Sequence, residues 1–165
     1  MCIRDRFSRA LLDYRTGSTD VALLSLNEIL NDYPGTEVAD HATFLLAKVN
    51  YENRNYPEAL RYYEMYVDRY SGNKLRRASS LGGIAACHEN QGNFLEAARR
   101  FVVAIDEYPD GPLEADFRLG AMRAFLLGSD VEQARVHFEV IKDKFAGTDL
   151  ERRATRQFHE MSNLQ

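Results

Sequence analysis

Small and apolar residues recur along this chain at helical spacing, and the spacing itself recurs. Ala22, Leu26, Ile29 and Tyr33 stand at i, i+4, i+7 and i+11, which is one face of an α-helix. Ala59, Tyr63, Tyr66 and Tyr70 repeat the stripe, as do Ala97, Phe101, Ala104 and Tyr108, and then Ala134, Phe138, Ile141 and Phe145. The alanines follow one another at steps of 37, 38 and 37 residues, so four units share one register. Each stripe ends in a turn phrase: Tyr33-Pro34-Gly35, Tyr70-Ser71-Gly72, Tyr108-Pro109-Asp110-Gly111 and Phe145-Ala146-Gly147.

Four residues before each alanine stand Ser18, Asn55, Asn93 and Asp130, side chains that accept hydrogen bonds from the open N–H groups of a first helical turn. Glu58, Glu96 and Gln133 follow at the third helical position, which predicts capping boxes, and Pro57 suits a first turn. Gly17, Gly92 and Gly128, with Arg54 in the second unit, lie where a left-handed residue ends a preceding helix. That preceding helix is visible in Phe44, Leu45, Leu46, Ala47, Val49 and Tyr51, in Leu81, Ile84, Ala85 and Cys87, and in Leu119, Met122 and Phe125. Ala10, Ala47, Ala85 and Met122 come twelve residues before the alanines, so three of four units place small against small where two helices must approach closely. Leu150, Ala154, Phe158 and Met161 form one further stripe, with Arg152, Arg153 and Arg156 off it. A stack of repeats needs such a closing helix to keep its last apolar face out of water.

A small residue in the first helix, alanine twelve later, an aromatic four on and a Tyr-Pro stop resemble the tetratricopeptide repeat, over residues 7–148. The resemblance implies an all-α fold, a right-handed α-solenoid of helix-turn-helix repeats at about 7–35, 36–72, 73–111 and 112–148, closed by a C-terminal capping helix at 149–165. The long period and the Tyr-Pro-Gly-Thr and Tyr-Pro-Asp-Gly endings are similar to repeats of bacterial cell-envelope proteins, of the type of the outer-membrane assembly lipoprotein BamD and the cell-division coordinator YbgF. Met122 departs from the pattern in place of a small residue, as do Asp13 and Asn50 in place of aromatics, and the first unit is expected to lack most of its first helix.

Composition narrows the chemistry. With 165 residues, 45% apolar and 28% charged, the chain has the balance of a single globular domain. Twenty-five acids against twenty-one Lys and Arg give a net charge of -4, which disfavours a nucleic-acid partner. No apolar run is long enough to span a membrane. The opening Met1-Cys2-Ile3-Arg4-Asp5-Arg6 contains no signal peptide and reads as a non-native leader, residues 1–6. Two cysteines, Cys2 and Cys87, make no disulfide framework or zinc site.

Candidate chemical residues are few. Cys87-His88-Glu89 invites a thiol or metal reading, but neighbours on a helix point about 100° apart, and a core cysteine beside a surface histidine is expected. His41, His137 and His159 lie in separate units and read as solvated. Leu81-Gly82-Gly83 lacks the Lys-Ser/Thr of a phosphate loop and reads as close helix packing. Tyr62, Tyr63, Tyr66 and Tyr70 could stack bases or sugars, yet three of them occupy the core register. Lys74, Arg76 and Arg77 form a basic cluster, read as a solvated loop, that could otherwise meet lipid headgroups or an acidic segment. No catalytic residue, cofactor or metal is expected.

In tetratricopeptide arrays the first helices line the concave surface, so the resemblance places a peptide-binding groove on Tyr14, Arg15, His41, Phe44, Lys48, Tyr51, Glu52, Glu89, Asn90 and Arg123. Phe7, Leu11, Ser79, Ala86, Asp116 and Leu119 share their register, and Phe44 and Leu119 could equally pack internally. Aromatic and cationic side chains on a rigid wall suit a peptide carrying carboxylates. The expectation is a non-enzymatic scaffold binding a protein or peptide partner, in bacterial envelope assembly or maintenance, with a periplasmic or outer-membrane-associated location by resemblance. The alternative is a recruiting or regulatory segment of a larger enzyme or signalling protein. Self-association through the first unit is a third reading.

Overall fold

The computed structural model describes residues 2–163. Met1, at the head of the expected leader, and residues 164 and 165, at the end of the expected closing helix, lie outside the described residues. Nine helices and no strands are present among the described residues: α1 (Ile3–Arg15), α2 (Thr19–Asp32), α3 (Glu37–Glu52), α4 (Tyr56–Arg69), α5 (Lys74–Asn90), α6 (Phe94–Glu107), α7 (Glu114–Leu127), α8 (Val131–Lys144) and α9 (Asp149–Ser162). The architecture is all-α, built of helix-turn-helix pairs. The chain forms two compact units, Met1–Gly83 and Ile84–Gln165, divided inside α5.

The second helices α2, α4, α6 and α8 start one residue after Ser18, Asn55, Asn93 and Asp130, the four N-cap positions the sequence marks. Only Asp130 caps with its side chain, accepting from the Gln133 N–H at 3.1 Å. Ser18, Asn55 and Asn93 make no side-chain cap bond, although their ψ of 57 to 67° is close to the 75° of Asp130. Asn55 instead donates from Nδ2 to Asn50 Oδ1 at 3.2 Å. Side-chain caps appear at Thr36, bonded by the Ala39 N–H, and at Thr148, bonded by the Glu151 N–H.

The residue before each of those N-caps is left-handed: Gly17 (φ 85°), Arg54 (φ 61°), Gly92 (φ 79°) and Ser129 (φ 63°). In the fourth unit the position is therefore Ser129 and not Gly128. Gly128 instead packs close to Leu95, whose Cδ2 would lie 2.5 Å from a Cβ there.

Within Met1–Gly83, α1 packs on α2 and α3, α2 on α3, and α3 on α4. Ala10, Ala22, Ala47 and Ala59 are wholly buried, and Tyr62, Tyr63 and Tyr66 join them in the core, so the tyrosine series is packing surface while Tyr70 stays half-buried. At thirteen residues α1 is close to a full first helix, and it begins inside the segment read as a leader; Arg6 there pairs with Asp32 at 3.2 Å. Lys74, Arg76 and Arg77 are not a solvated loop, because α5 begins at Lys74. The Asn73 side chain accepts from the Arg76 N–H at 2.9 Å, Arg76 pairs with Asp40, and Arg77 bonds the Val67 carbonyl.

Within Ile84–Gln165, α6 packs on α7, α7 on α8, and α9 on both α7 and α8. Cys87 and Met122 are wholly buried. The α9 stripe docks through Phe158, whose ring stacks on Phe138 with centroids 4.4 Å apart, and Ala154 is buried beside it in sequence register. At the start of α7 the Glu114 carboxylate is 2% exposed and accepts from Arg118 Nε (2.7 Å), Lys144 Nζ (2.5 Å) and the Asp110 N–H (3.0 Å). Burial works against its charge, but the bonds from Lys144 and Arg118 outweigh it and hold the carboxyl below its ordinary range.

His137 is not solvated: it is 7% exposed and stacked on Phe125, centroids 5.8 Å apart, with its Nδ1 buried and unbonded among the described residues. Burial, then the charge of Arg118, push its pKa down to about 4, against a smaller opposite effect of Asp106. His159 is exposed and His41 is half-buried.

Aromatic rings of one pair rest on glycines of the next. A Cβ on Gly120 would lie 2.6 to 2.8 Å from three atoms of the Phe101 ring, and one on Gly83 would meet the Tyr63 ring at 2.5 to 2.8 Å. Close packing is thus the use of Gly83. Replacing Gly120 by Ala should destabilise by about 1–3 kcal/mol in urea unfolding, because a flat ring cannot yield as a flexible chain end can, even though alanine favours a helix over glycine. An unchanged midpoint would show that α6 and α7 separate freely. The histidine gives a pH dependence. The unfolded chain protonates His137 near pH 6.5 and the folded one near 4, so the unfolded state binds more protons between them, and stability should fall by about 2–3 kcal/mol as pH drops through that window. His137→Phe should abolish this slope in urea unfolding measured against pH.

Candidate functional site

The first helices carry the residues the repeat register assigns to a binding face. On α1 and α3 three of them meet: the Tyr14 hydroxyl donates to Glu52 Oε2, and Lys48 Nζ lies 3.8 Å from Glu52 Oε1. Tyr14 and Glu52 are 38 residues apart, so the same helical face is met one repeat later. The bond to the carboxylate, then burial and the nearby negative charge, push the Tyr14 pKa up to about 12, which keeps the phenol a donor at neutral pH. Arg15 is exposed at the end of α1.

Neighbouring residues of α3 divide between surface and core. Phe44 turns inward, edge-on to Tyr66 (5.7 Å) and Tyr63 (6.4 Å), and so belongs to the packing between α3 and α4. Tyr51 lies edge-on to Tyr56 at 5.5 Å and remains half-buried, which leaves part of its ring for a ligand. His41 meets the Phe7 ring edge-on at 5.8 Å, and its Nε2 lies 2.6 Å from Arg76 Nη2. Since a guanidinium can only donate, that contact requires Nε2 as acceptor. Arg76 also donates to Asp40 Oδ1 at 2.8 Å, with the two side chains only 24% and 13% exposed. The buried Tyr66 hydroxyl lies near both Asp40 and Arg76; burial and then Asp40 push its pKa up to about 12 against the opposing effect of Arg76.

In the second unit Glu89 on α5 and Arg123 on α7 form a bidentate pair, Nε to Oε1 at 2.5 Å and Nη2 to Oε2 at 2.8 Å, with Glu89 only 13% exposed. The guanidinium fork fits the carboxylate and is engaged by it. Asn90 is exposed and donates to its own helix at the Ala86 carbonyl (2.8 Å). Leu119 is buried, so it packs internally, whereas Asp116 is exposed.

The register therefore brings together Tyr14, Lys48 and Glu52 in one unit and Glu89 with Arg123 in the other, while Phe44 is half-buried and packs edge-on against Tyr63 and Tyr66. Register alone did not mark Asp40, Tyr56 and Arg76. The available signal was opposite charge about one repeat apart, since Asp40 and Arg76 stand 36 residues apart and Glu89 and Arg123 stand 34 apart. Among the described residues no cluster of His, Cys, Asp and Glu could hold a metal ion, and no helix is long and apolar enough to cross a membrane. What the face offers is ring surface, amide donors, the exposed guanidinium of Arg15, and the charges of Lys48, Glu52, Glu89 and Arg123, which are matched in pairs. Arg123→Glu should then destabilise the second unit by about 1–3 kcal/mol, because it sets two carboxylates together in a partly buried place. The swap Glu89→Arg with Arg123→Glu should recover most of the loss in urea unfolding.

Comparison with known proteins bears on the fold. The tetratricopeptide repeat family model matches residues 7–74, the stretch that carries most of α1 and all of α2 to α4. No curated protein matches the chain. Among solved structures it is similar to a tetratricopeptide repeat protein from Parabacteroides merdae, with a TM-score of 0.82 at 14% identity, covering 98% of this chain and 60% of that one. It is also similar to nearly identical TPR-like repeats from Podosopora anserina, with a TM-score of 0.73 at 15% identity, covering 98% of this chain and 85% of that one. The chain thus spans 60% of the length of the Parabacteroides merdae protein. Its fold is that of the all-α tetratricopeptide solenoids, with the family's repeats matched in residues 7–74.

Proposed function

We propose that this chain is a non-enzymatic scaffold that binds a protein or peptide partner on the face formed by its first helices. The observation that carries the reading is the grouping of Tyr14, Lys48 and Glu52 on α1 and α3, with the half-buried ring of Tyr51 on the same helix as Lys48. These side chains are held by a packed frame, so a ligand meets donors and ring surface at little ordering cost. The matched charges favour a partner that bears both signs over a purely acidic one, which modifies the expectation drawn from Lys48 and Arg123 alone.

The Tyr-Pro endings support placing that partner in bacterial envelope assembly or maintenance, with the chain periplasmic or associated with the outer membrane. The partner would be recovered by crosslinking in extracts and mass spectrometry, and its affinity measured by calorimetry. Lys48→Glu, a change at an exposed pair worth little to stability, should weaken binding and reduce its salt dependence. Tyr51→Ala should cost about 1–2 kcal/mol with little salt dependence. Folded variants that bind as the parent does would remove the site from this face.

A further inference from the structure

A second surface lies on the other helices of the first unit. Between α2 and α4 runs a pocket of about 290 Å³ bordered by Leu30, Pro34, Met65, Tyr70, Arg61 and Arg69, with Asn27 and Tyr62 at its base and Asn31 beside it. The Tyr62 hydroxyl donates to Asn27 Oδ1 at 2.6 Å and so ties the two helices across this floor. Arg61 lies over the Tyr62 ring, 4.1 Å from its centroid, and its Nε and Nη2 hold Glu58 at 3.0 and 2.8 Å. Arg69 differs: it is exposed in the last turn of α4 and makes no ion pair among the described residues.

The lining contains no carboxylate. Three other pockets that carry arginine each include one: Asp13 and Glu28 beside Arg6 and Arg9, Glu37 beside Arg4, and Glu96 beside Arg99. In a chain of net charge -4 the α2–α4 pocket is thus a local positive site with an apolar wall. One unmatched guanidinium next to Leu30, Met65 and Tyr70 suits a carboxylate adjacent to an apolar side chain. It does not suit a phosphate backbone, which needs several cations and would be repelled by the net charge.

We propose that the α2–α4 pocket docks a short acidic segment of a protein partner, its apolar side chain against Leu30, Met65 and Tyr70 and its carboxylate on Arg69. This surface is separate from the first-helix face and stands or falls independently of it. The probe is a fluorescein-labelled peptide, Gly-Glu-Leu-Asp-Phe-Glu-Gly, compared with its neutral form, Gly-Gln-Leu-Asn-Phe-Gln-Gly, on the full chain. The acidic peptide should bind more tightly, lose affinity as salt rises, and shift the side-chain amide resonances of Asn27 and Asn31 and the Met65 methyl. Arg69→Glu should weaken it by about tenfold or more and Arg69→Gln by less, with circular dichroism unchanged, whereas Arg153→Glu, at an exposed position of α9, should leave it unaffected. Equal binding of the two peptides, no binding of either, resonance shifts confined to α1 and α3, or indifference to Arg69→Glu would each overturn the proposal. So would a pocket that responds to anionic vesicles or oligonucleotides and not to the peptide.

Discussion

Everything in this molecule depends on how closely one helix can approach the next, and that distance is set by rings lying on bare backbone. Tyr63 rests where Gly83 has no Cβ, and Phe101 where Gly120 has none. A flat ring against a helix backbone buries a large apolar area without pushing the helices apart. The alanines at Ala10, Ala22, Ala47, Ala59, Ala85, Ala97 and Ala134 serve the same end, since all are wholly buried. At the last pair, the Phe138 ring meets not a glycine but the Phe158 ring, stacked at 4.4 Å. That stacking, with the packing of α9 on both α7 and α8, holds the last helix in place.

Apolar packing of this kind has little directional content, and polar pairs between successive first helices supply what it lacks. Tyr14 with Glu52, Asp40 with Arg76, and Glu89 with Arg123 each join residues 34 to 38 apart, which is one repeat along the chain. Asp110 and Lys144 do the same from the turn before α7 to the end of α8. Such pairs add little to stability on balance, because desolvation offsets most of the attraction, but leaving either partner alone in a partly buried place is costly. The first-helix face therefore has matched charge where the pattern of Lys48 and Arg123 suggested excess positive charge. On the second-helix side the α2–α4 pocket retains an unmatched arginine, Arg69, beside apolar wall.

The fold was legible in the sequence to the level of single residues wherever local chemistry decides. Helix starts after Ser18, Asn55, Asn93 and Asp130, buried alanines in register, and the core role of Tyr63, Tyr66 and Cys87 all follow from spacing and side-chain size, whereas Tyr70 shares that register and is only half-buried and Tyr62 is buried off it. These are properties of a helical face and its first turn, which a stretch of chain carries within itself. The way a cap is made was less legible: Asp130 bonds its helix, while Asn55 turns to Asn50, since the cap side chain competes with partners outside its own turn.

The sequence by itself determined the period, the helix pairs and the faces they bury, because those depend on neighbours three to twelve residues away. Only tertiary structure decided what the polar residues do. His137 reads as solvated by its surroundings in the chain, and is buried on Phe125 because α7 covers it. Arg76 and Arg77 read as a loop, and are the first turn of α5, tied to Asp40 and to the Val67 carbonyl. Phe44 shares the register of a binding face and turns to Tyr63 and Tyr66. In each case the deciding partner lies on another helix, at a distance in space that hydrophobic periodicity does not encode.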